Sequence, residues 1–265
     1  MYQKLIEPFW LTYQKITPSA KVIHNLLEEA GNQVYNDHIA FRTLNIEGIA
    51  LADYTKALKT FGYEPKGEYR FEQKKLNALH FEHHDPEAPK IFVSELQTHE
   101  LSKTLQDLMW EIADKIPQSL IASGTFIYSG RTWGTISYED YQQLLSESEY
   151  AAWFYVFGFC ANHFTINVNR LNSVDSLEEL NELLKANGFT MNSSGGEIKG
   201  SPAELLEQSS IMADRTVVEF AQGKFEIPSC YYEFAKRYPD ASGDLYSGFI
   251  AKSADKIFES TNVLT

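Results

Sequence analysis

Apolar positions recur at helical spacing through "MYQKLIEPFWLTYQKITPSAKVIHNLLEEAG". The run breaks at "TPSA", where Thr17 followed by Pro18 has the form of an N-cap with proline at the first helical position. Two helices are therefore predicted to open the chain. The spacing then changes. "DHIAFRTL" reads as a strand, "IALADYTKALKTFGY" as an amphipathic helix stopped by Gly62, and "GEYRFEQ", "NALHFEHH" and "KIFVSEL" as three further strands. Residues 99–159 interrupt this β-α-β-β-β order with a mostly helical insertion that includes "LSKTLQDLMWEIADKI" and the aromatic "SEYAAWFYVFGF".

After the insertion the first pattern returns. "DHIAFRTLN" opens one passage and "NHFTINVNRLN" the other, followed by helices ending "YTKALKTFGY" and "LEELNELLKANGF". The second passage continues with the strand-like runs "RTVVEFAQ" and "CYYEFAKR", the latter aligning with "IFVSELQ". His38 thereby matches His163, and Glu95 matches Glu233. The wider spacing in the second copy is assigned to "NSSGGEIKGS" and a short helix. An internal duplication of a βαβββ unit accounts for the match. The expected architecture is α+β. Its segments are N-terminal helices over 1–31, a first module over 32–98, the helical insertion over 99–159, a second module over 160–238 and a tail over 239–265. The two modules are expected to form one cupped mixed sheet or half-barrel around a single site.

In a strand, side chains at i, i+2 and i+4 share a face. His38, Ala40 and Arg42 therefore point one way, as do His163, Thr165, Asn167 and Asn169, and Glu233 goes with Tyr231 and Ala235. The apolar alternates, Ile39 and Phe41 or Phe164, Ile166 and Val168, are left to pack against helices. Two histidines and one carboxylate on inward faces form the set that holds Fe(II) on one side and leaves positions open. The rival reading makes each histidine a hydrogen-bonded core residue. Their equivalent places in a duplication, each with a glutamate on the closing strand, favour the metal. Arg42 has a planar guanidinium suited to bidentate pairing with a substrate carboxylate; its structural alternative is a buried ion pair with Glu95 or another acid.

Composition narrows the partners. The 265 residues carry a formal net charge of −13, which argues against nucleic acid or an anionic membrane as partner. Hydrophobic residues at 43% indicate a globular chain with a sizeable core. Cys160 and Cys230 sit in apolar strand-like contexts and read as buried thiols, with no CxxC motif. No basic segment followed by an apolar one opens the chain and no apolar run reaches about 18 residues, so a cytoplasmic location is expected.

"NDHIAFRTL", "SEYAAWFYVFGFCANHFTINVN", "CYYEFAKR" and the tail "GFIAKSADKIFEST" together resemble the 2-oxoadipate dioxygenase/decarboxylase family of the vicinal oxygen chelate superfamily, over nearly the whole chain. "YYEFAKR" is also similar to the closing strand of hydroxyphenylpyruvate dioxygenase, whose glutamate is an iron ligand. The resemblance implies metal ligands at His38, His163 and Glu233, Fe(II) or another divalent ion as cofactor, and Arg42 as the catalytic residue that binds a substrate carboxylate. It also implies that Ser253 lies in the substrate pocket. The implied reaction converts 2-oxoadipate and O2 to 2-hydroxyglutarate and CO2. The chain is shorter than characterised members, so the resemblance specifies the metal chemistry more closely than the substrate.

Glu95 occupies the fourth symmetry-related position, where glyoxalase-like relatives can place a ligand; it is expected either to bind the metal itself or to support the ligands from behind, and His80 is a second candidate for the supporting role. His83 and His84, just before Pro86, read as a solvated turn, and His24 and His99 as surface or core residues. "SGGEIKGS" does not follow a strand into a helix and is no phosphate loop. The alternative function is a metal-dependent hydrolase or isomerase using the same ligands, with Glu95 as base and no consumption of O2.

Overall fold

The computed structural model describes residues 2–257. Helices α1 (Gln3–Ile16) and α2 (Pro18–Glu29) open the chain. Pro18 starts α2 as its fixed φ predicts, but the Thr17 hydroxyl makes no capping bond and is buried without a partner. Two compact units follow from the packing. Among the described residues, no helix is long and apolar enough to cross a membrane.

The first unit takes in the chain up to Tyr13, Ala40–Asn162 and Thr216–Ile227. Strand β1 (Asn36–Leu44) enters it at Ala40 and leads to α3 (Leu51–Lys59), β2 (Tyr63–Phe71), β3 (Leu76–His83) and β4 (Lys90–Leu96). The ladder order is β2-β3-β4-β1, and α3 packs on β2 and β4. Gly62 ends the α3 turn at φ +88°, and a Cβ there would lie 2.7 Å from the His83 ring. The predicted helical insertion becomes α4 (Lys103–Asp114), α5 (Gln118–Ser123), α6 (Tyr138–Glu147) and α7 (Glu149–Phe157). Every residue of α7 beyond Glu149 is buried, because its sequence is apolar all round.

The second unit takes in Gln14–Ile39, His163–Arg215 and the chain from Pro228 onward. It carries β5 (Ala161–Asn167), α8 (Leu177–Ala186), β6 (Lys199–Ser201), β7 (Leu206–Ser210) and β10 (Tyr231–Arg237), in the ladder order β5-β10-β7-β6. Strand β10 runs parallel to β5, with Tyr231 opposite His163 and Glu233 opposite Thr165. Helix α8 packs on β7 and β10, and the C-terminal helix α9 (Ala251–Ile257) on β6 and β7.

The βαβββ order thus occurs twice, with the first strand of each set beside the last. Two details differ from expectation. "RTVVEF" forms β8 (Arg215–Phe220), which pairs with β9 (Gly223–Pro228) in a separate two-stranded ribbon of the first unit. The missing module strands β6 and β7 lie instead in and after the Gly/Ser-rich stretch. Strand β7, "LEQSS", is buried at all five positions although four are polar, so its hydropathy gives no strand signal. Asn169 is also off the β5 face: the chain turns into a 3-10 helix at Val168–Arg170, where the Asn169 amide brackets the Arg237 peptide through two 2.8 Å bonds.

Candidate metal centre

The β10–β5 register sets Glu233 beside Thr165 and Tyr231 beside His163. Successive alternate residues share a face, so the His163 and Glu233 side chains emerge on one side of the ladder. His38 joins them from β1. All three are buried, at 2%, 4% and 1% exposure for His38, His163 and Glu233. Their donor atoms lie within 4.8 Å of one another. His163 Nε2 is 3.4 Å from His38 Nε2 and 3.2 Å from Glu233 Oε2, and His38 Nε2 is 3.5 Å from Glu233 Oε1.

The surroundings fix which atoms face inward. His38 Nδ1 lies 2.8 Å from Asp37 Oδ1 and donates to it, which leaves the lone pair on Nε2, where the Thr165 hydroxyl donates at 3.1 Å. Asp37 is held in turn by Arg237, whose Nε and Nη2 donate to its two oxygens at 2.7 and 2.8 Å. Burial opposes ionisation of Asp37, but the Arg237 charge and the hydrogen bonds from His38 and Arg237 outweigh it and hold the carboxyl far below the usual range. Glu233 is the opposite case. Burial pushes it up to about 8, against a hydrogen bond from the Gln208 amide and the more distant charges of Lys199 and Arg237.

Two imidazole nitrogens and a carboxyl converge here, and burial disfavours the Glu233 charge that a bound cation would offset. Metal–ligand bonds of about 2.0–2.2 Å at tetrahedral to octahedral angles separate neighbouring ligand atoms by roughly 2.9–3.5 Å; the two imidazole nitrogens are 3.4 Å apart, and Glu233 turns Oε2 to His163 at 3.2 Å and Oε1 to His38 at 3.5 Å. The Asp37 bond to the outer nitrogen of His38 is the usual support for a metal-bound histidine. His38, His163 and Glu233 therefore suit a divalent metal, and two imidazoles with one carboxylate suit Fe(II) among them.

A match to the family model described as 2-oxoadipate dioxygenase/decarboxylase covers residues 2–118 and 118–242. The chain belongs to this family. The chloroplastic/amyloplastic 2-oxoadipate dioxygenase/decarboxylase of rice is 37% identical, over 98% of this chain and 79% of its own length. A crystal structure from Shewanella frigidimarina NCIMB 400 has 50% identity and a TM-score of 0.90, covering 95% of this chain and 98% of that one. The crystal structure of a rice hydroxyglutarate synthase in complex with 2-oxoadipate has 35% identity and a TM-score of 0.90, covering 99% and 92%.

The remaining sequence candidates of this 2-oxoadipate dioxygenase/decarboxylase family member lie among other partners. Arg42, at 1% exposure, donates through Nη1 to both Glu149 oxygens at 3.0 and 3.2 Å, and its guanidinium stacks over Tyr150 and Trp153. Glu95 accepts from the Leu51 N–H at the start of α3 (2.7 Å) and from the Gln97 amide (2.9 Å). His80 Nδ1 meets the Tyr69 hydroxyl at 2.8 Å. Ser253 is buried on α9, and its Oγ lies 3.5 Å from the place a Cβ on Gly200 would take. The His83 ring lies against that of His84, tilted by 32° at 4.0 Å, and its Nδ1 accepts the Asp85 N–H. His24 pairs with Glu28 and His99 with Glu100. Cys160 and Cys230 are buried free thiols, and burial pushes Cys160 up to about 12.

Asp37, Gln208 and Arg237 were not singled out from sequence, and Thr165 was placed on the His163 face without a role. Strand alternation assigns Asp37 and His38 to opposite faces, which concealed the pair. Arg237 carried a usable signal: it stands four residues after Glu233 on the same face, as Arg42 stands four after His38.

Proposed function

We propose that this chain is a non-haem Fe(II)-dependent dioxygenase and decarboxylase that converts 2-oxoadipate and O2 to 2-hydroxyglutarate and CO2. The observation that carries the reading is the buried His38–His163–Glu233 trio, with its 3.2–3.5 Å donor separations, in a member of this family. The choice of substrate is supported by the likeness to the rice hydroxyglutarate synthase, whose crystal structure is a complex with 2-oxoadipate. Fe(II), when bound, supplies the redox chemistry that lets O2 react with a 2-oxo acid. C1 leaves as CO2, one oxygen atom enters the new carboxylate, the other becomes the hydroxyl, and the 2-oxo acid itself provides the electrons.

His38, His163 and Glu233 hold the metal, Asp37 fixes the His38 tautomer and Gln208 orients the Glu233 carboxylate. Burial of all three ligands keeps water away from the reacting centre. Arg42 is assigned a substrate carboxylate. Its guanidinium lies over the Tyr150 and Trp153 rings at 4.7 and 4.9 Å, packing that restrains it for a second carboxylate. Ser253 is assigned to the substrate pocket.

The test is an oxygen-electrode assay of anaerobically purified, Fe(II)-loaded protein across 2-oxo acids of different length. One O2 is expected to disappear per 2-oxoadipate, with His38→Ala, His163→Ala and Glu233→Ala each losing both bound iron and O2 uptake. Turnover of a substrate without O2 consumption would move the assignment to the hydrolase or isomerase reading.

A further inference from the structure

Arg237 has more contacts than a support for Asp37 requires. Its Nε and Nη2 hold the two Asp37 oxygens, while Nη1 donates to the backbone carbonyls of Tyr246 and Gly248 at 2.9 and 2.8 Å. One guanidinium therefore grips both the carboxylate behind His38 and the chain that follows β10. That chain folds back on itself: the Tyr246 N–H donates to the Tyr238 carbonyl at 3.0 Å and the Asp240 N–H to the Asp244 carbonyl at 2.8 Å. It then touches the ligand a second time. The Phe249 ring stands edge-on to the His38 imidazole at 4.8 Å, and the Arg237 guanidinium lies over Phe249 at 5.1 Å. Arg237 and Phe249 are both buried.

We propose that Arg237 is a positioning residue through which the seating of residues 238–250 and the loading of the metal favour each other. The inference rests on His38 being a metal ligand. A cation at His38 Nε2 draws density through the ring and strengthens the Nδ1–H bond to Asp37, which holds Asp37 in the place where Arg237 must fork onto it. In that pose Arg237 presents Nη1 to the Tyr246 and Gly248 carbonyls. In the other direction, a seated segment presses Phe249 against the His38 ring and fixes Arg237, so the ring is already aimed when the metal arrives. By linkage, the factor by which seating raises metal affinity equals the factor by which metal favours seating. A lysine at 237 keeps the charge but cannot fork onto Asp37 while also serving two carbonyls.

The test uses the full-length protein, with Co(II) alone as the probe. Equilibrium dialysis gives the Co(II) affinity, and limited proteolysis mapped by mass spectrometry gives cleavage rates within 238–250, with and without the metal. In the wild-type protein Co(II) should slow cleavage within 238–250 by at least about 10-fold, relative to cleavage elsewhere in the chain. Arg237→Lys should lower Co(II) affinity by about 10- to 100-fold, the usual effect of losing an outer partner of a metal ligand, and should abolish the Co(II)-dependent protection. Phe249→Ala, which leaves every hydrogen-bonding atom of the network in place, should lower both by a smaller factor and serves if Arg237→Lys does not fold. Wild-type Co(II) affinity in both variants, or cleavage of 238–250 indifferent to Co(II), overturns the linkage and leaves the metal centre standing. Failure of the wild-type protein to take up Co(II) or Fe(II) overturns the metal centre and the linkage with it.

Discussion

Glu233 carries a cost that depends on pH and on the metal. Its carboxyl is raised by burial to about 8, from a usual value near 4.5, so the native metal-free protein keeps a proton that the unfolded chain releases across that interval. Stability of the metal-free protein should therefore fall as pH rises from about 4.5 to about 8, by roughly 3–6 kcal/mol from this group, and level off above. Glu233→Gln removes the titration, so urea midpoints of metal-free wild type and variant should converge near pH 4.5 and diverge by pH 8 with the variant the more stable. Parallel curves would show that Glu233 is solvated or paired in a way the burial argument omits. Arg42 gives a second residue-scale prediction. Arg42→Lys keeps a cation beside Glu149 but loses the fork, so kcat/KM for 2-oxoadipate should drop about 10- to 150-fold with iron content unchanged. If Arg42 serves only Glu149, the lysine variant should turn over normally while Arg42→Ala loses thermal stability; Glu149 is 29% exposed and can partly rehydrate, which moderates that loss.

Helix α7 shows how an element can be set by its two ends. Ser148 caps it, its hydroxyl accepting the Ala151 N–H at 3.2 Å, and Glu149 follows at the first helical position. Gly158 terminates it at φ +65°, where a Cβ would stand 2.6 Å from the Gly130 carbonyl oxygen. Gly158→Ala should therefore cost roughly 2–5 kcal/mol in denaturant unfolding, since left-handed backbone and a backbone clash coincide. Ser148→Ala should cost about 1 kcal/mol, with kcat/KM falling only if the first turn must be rigid to hold Glu149 and Tyr150 against Arg42. The helix itself was legible because eight apolar or aromatic residues in a row, Tyr150–Phe157, leave a buried segment little choice. Strands β6 and β7 were not legible. Their side chains, Gln208 toward Glu233 and Ser209 toward Asn181 among them, are buried through hydrogen bonds, and polar burial has no hydropathy period to read. The same physics hid Asp37: its bond to the neighbouring His38 runs against strand alternation, whereas the three residues proposed as metal ligands obey it.

At the scale of the molecule, metal binding should appear as global stability. A ligand bound only by the native state at 100 times its dissociation constant adds about 2.7 kcal/mol, which for a chain of this size amounts to a Tm increase of roughly 5–10 °C. Calorimetry with and without Co(II) should show that increase in the wild-type protein and none in His163→Ala. The duplication was readable from "DHIAFRTLN" and "NHFTINVNRLN" because matched histidines sit in matched strands; the ribbon β8–β9, inserted between β7 and β10, was mistaken for part of the second copy because its residues alternate like a module strand. The two matched glutamates have unequal employment: Glu95 accepts the first N–H of α3 and the Gln97 amide, whereas Glu233 faces His163 and the Gln208 amide. Removing each should therefore fail differently, Glu95→Ala by loosening the start of α3 and Glu233→Ala by emptying the His38–His163 corner, which thermal melts of the metal-free variants beside Co(II) affinity would separate.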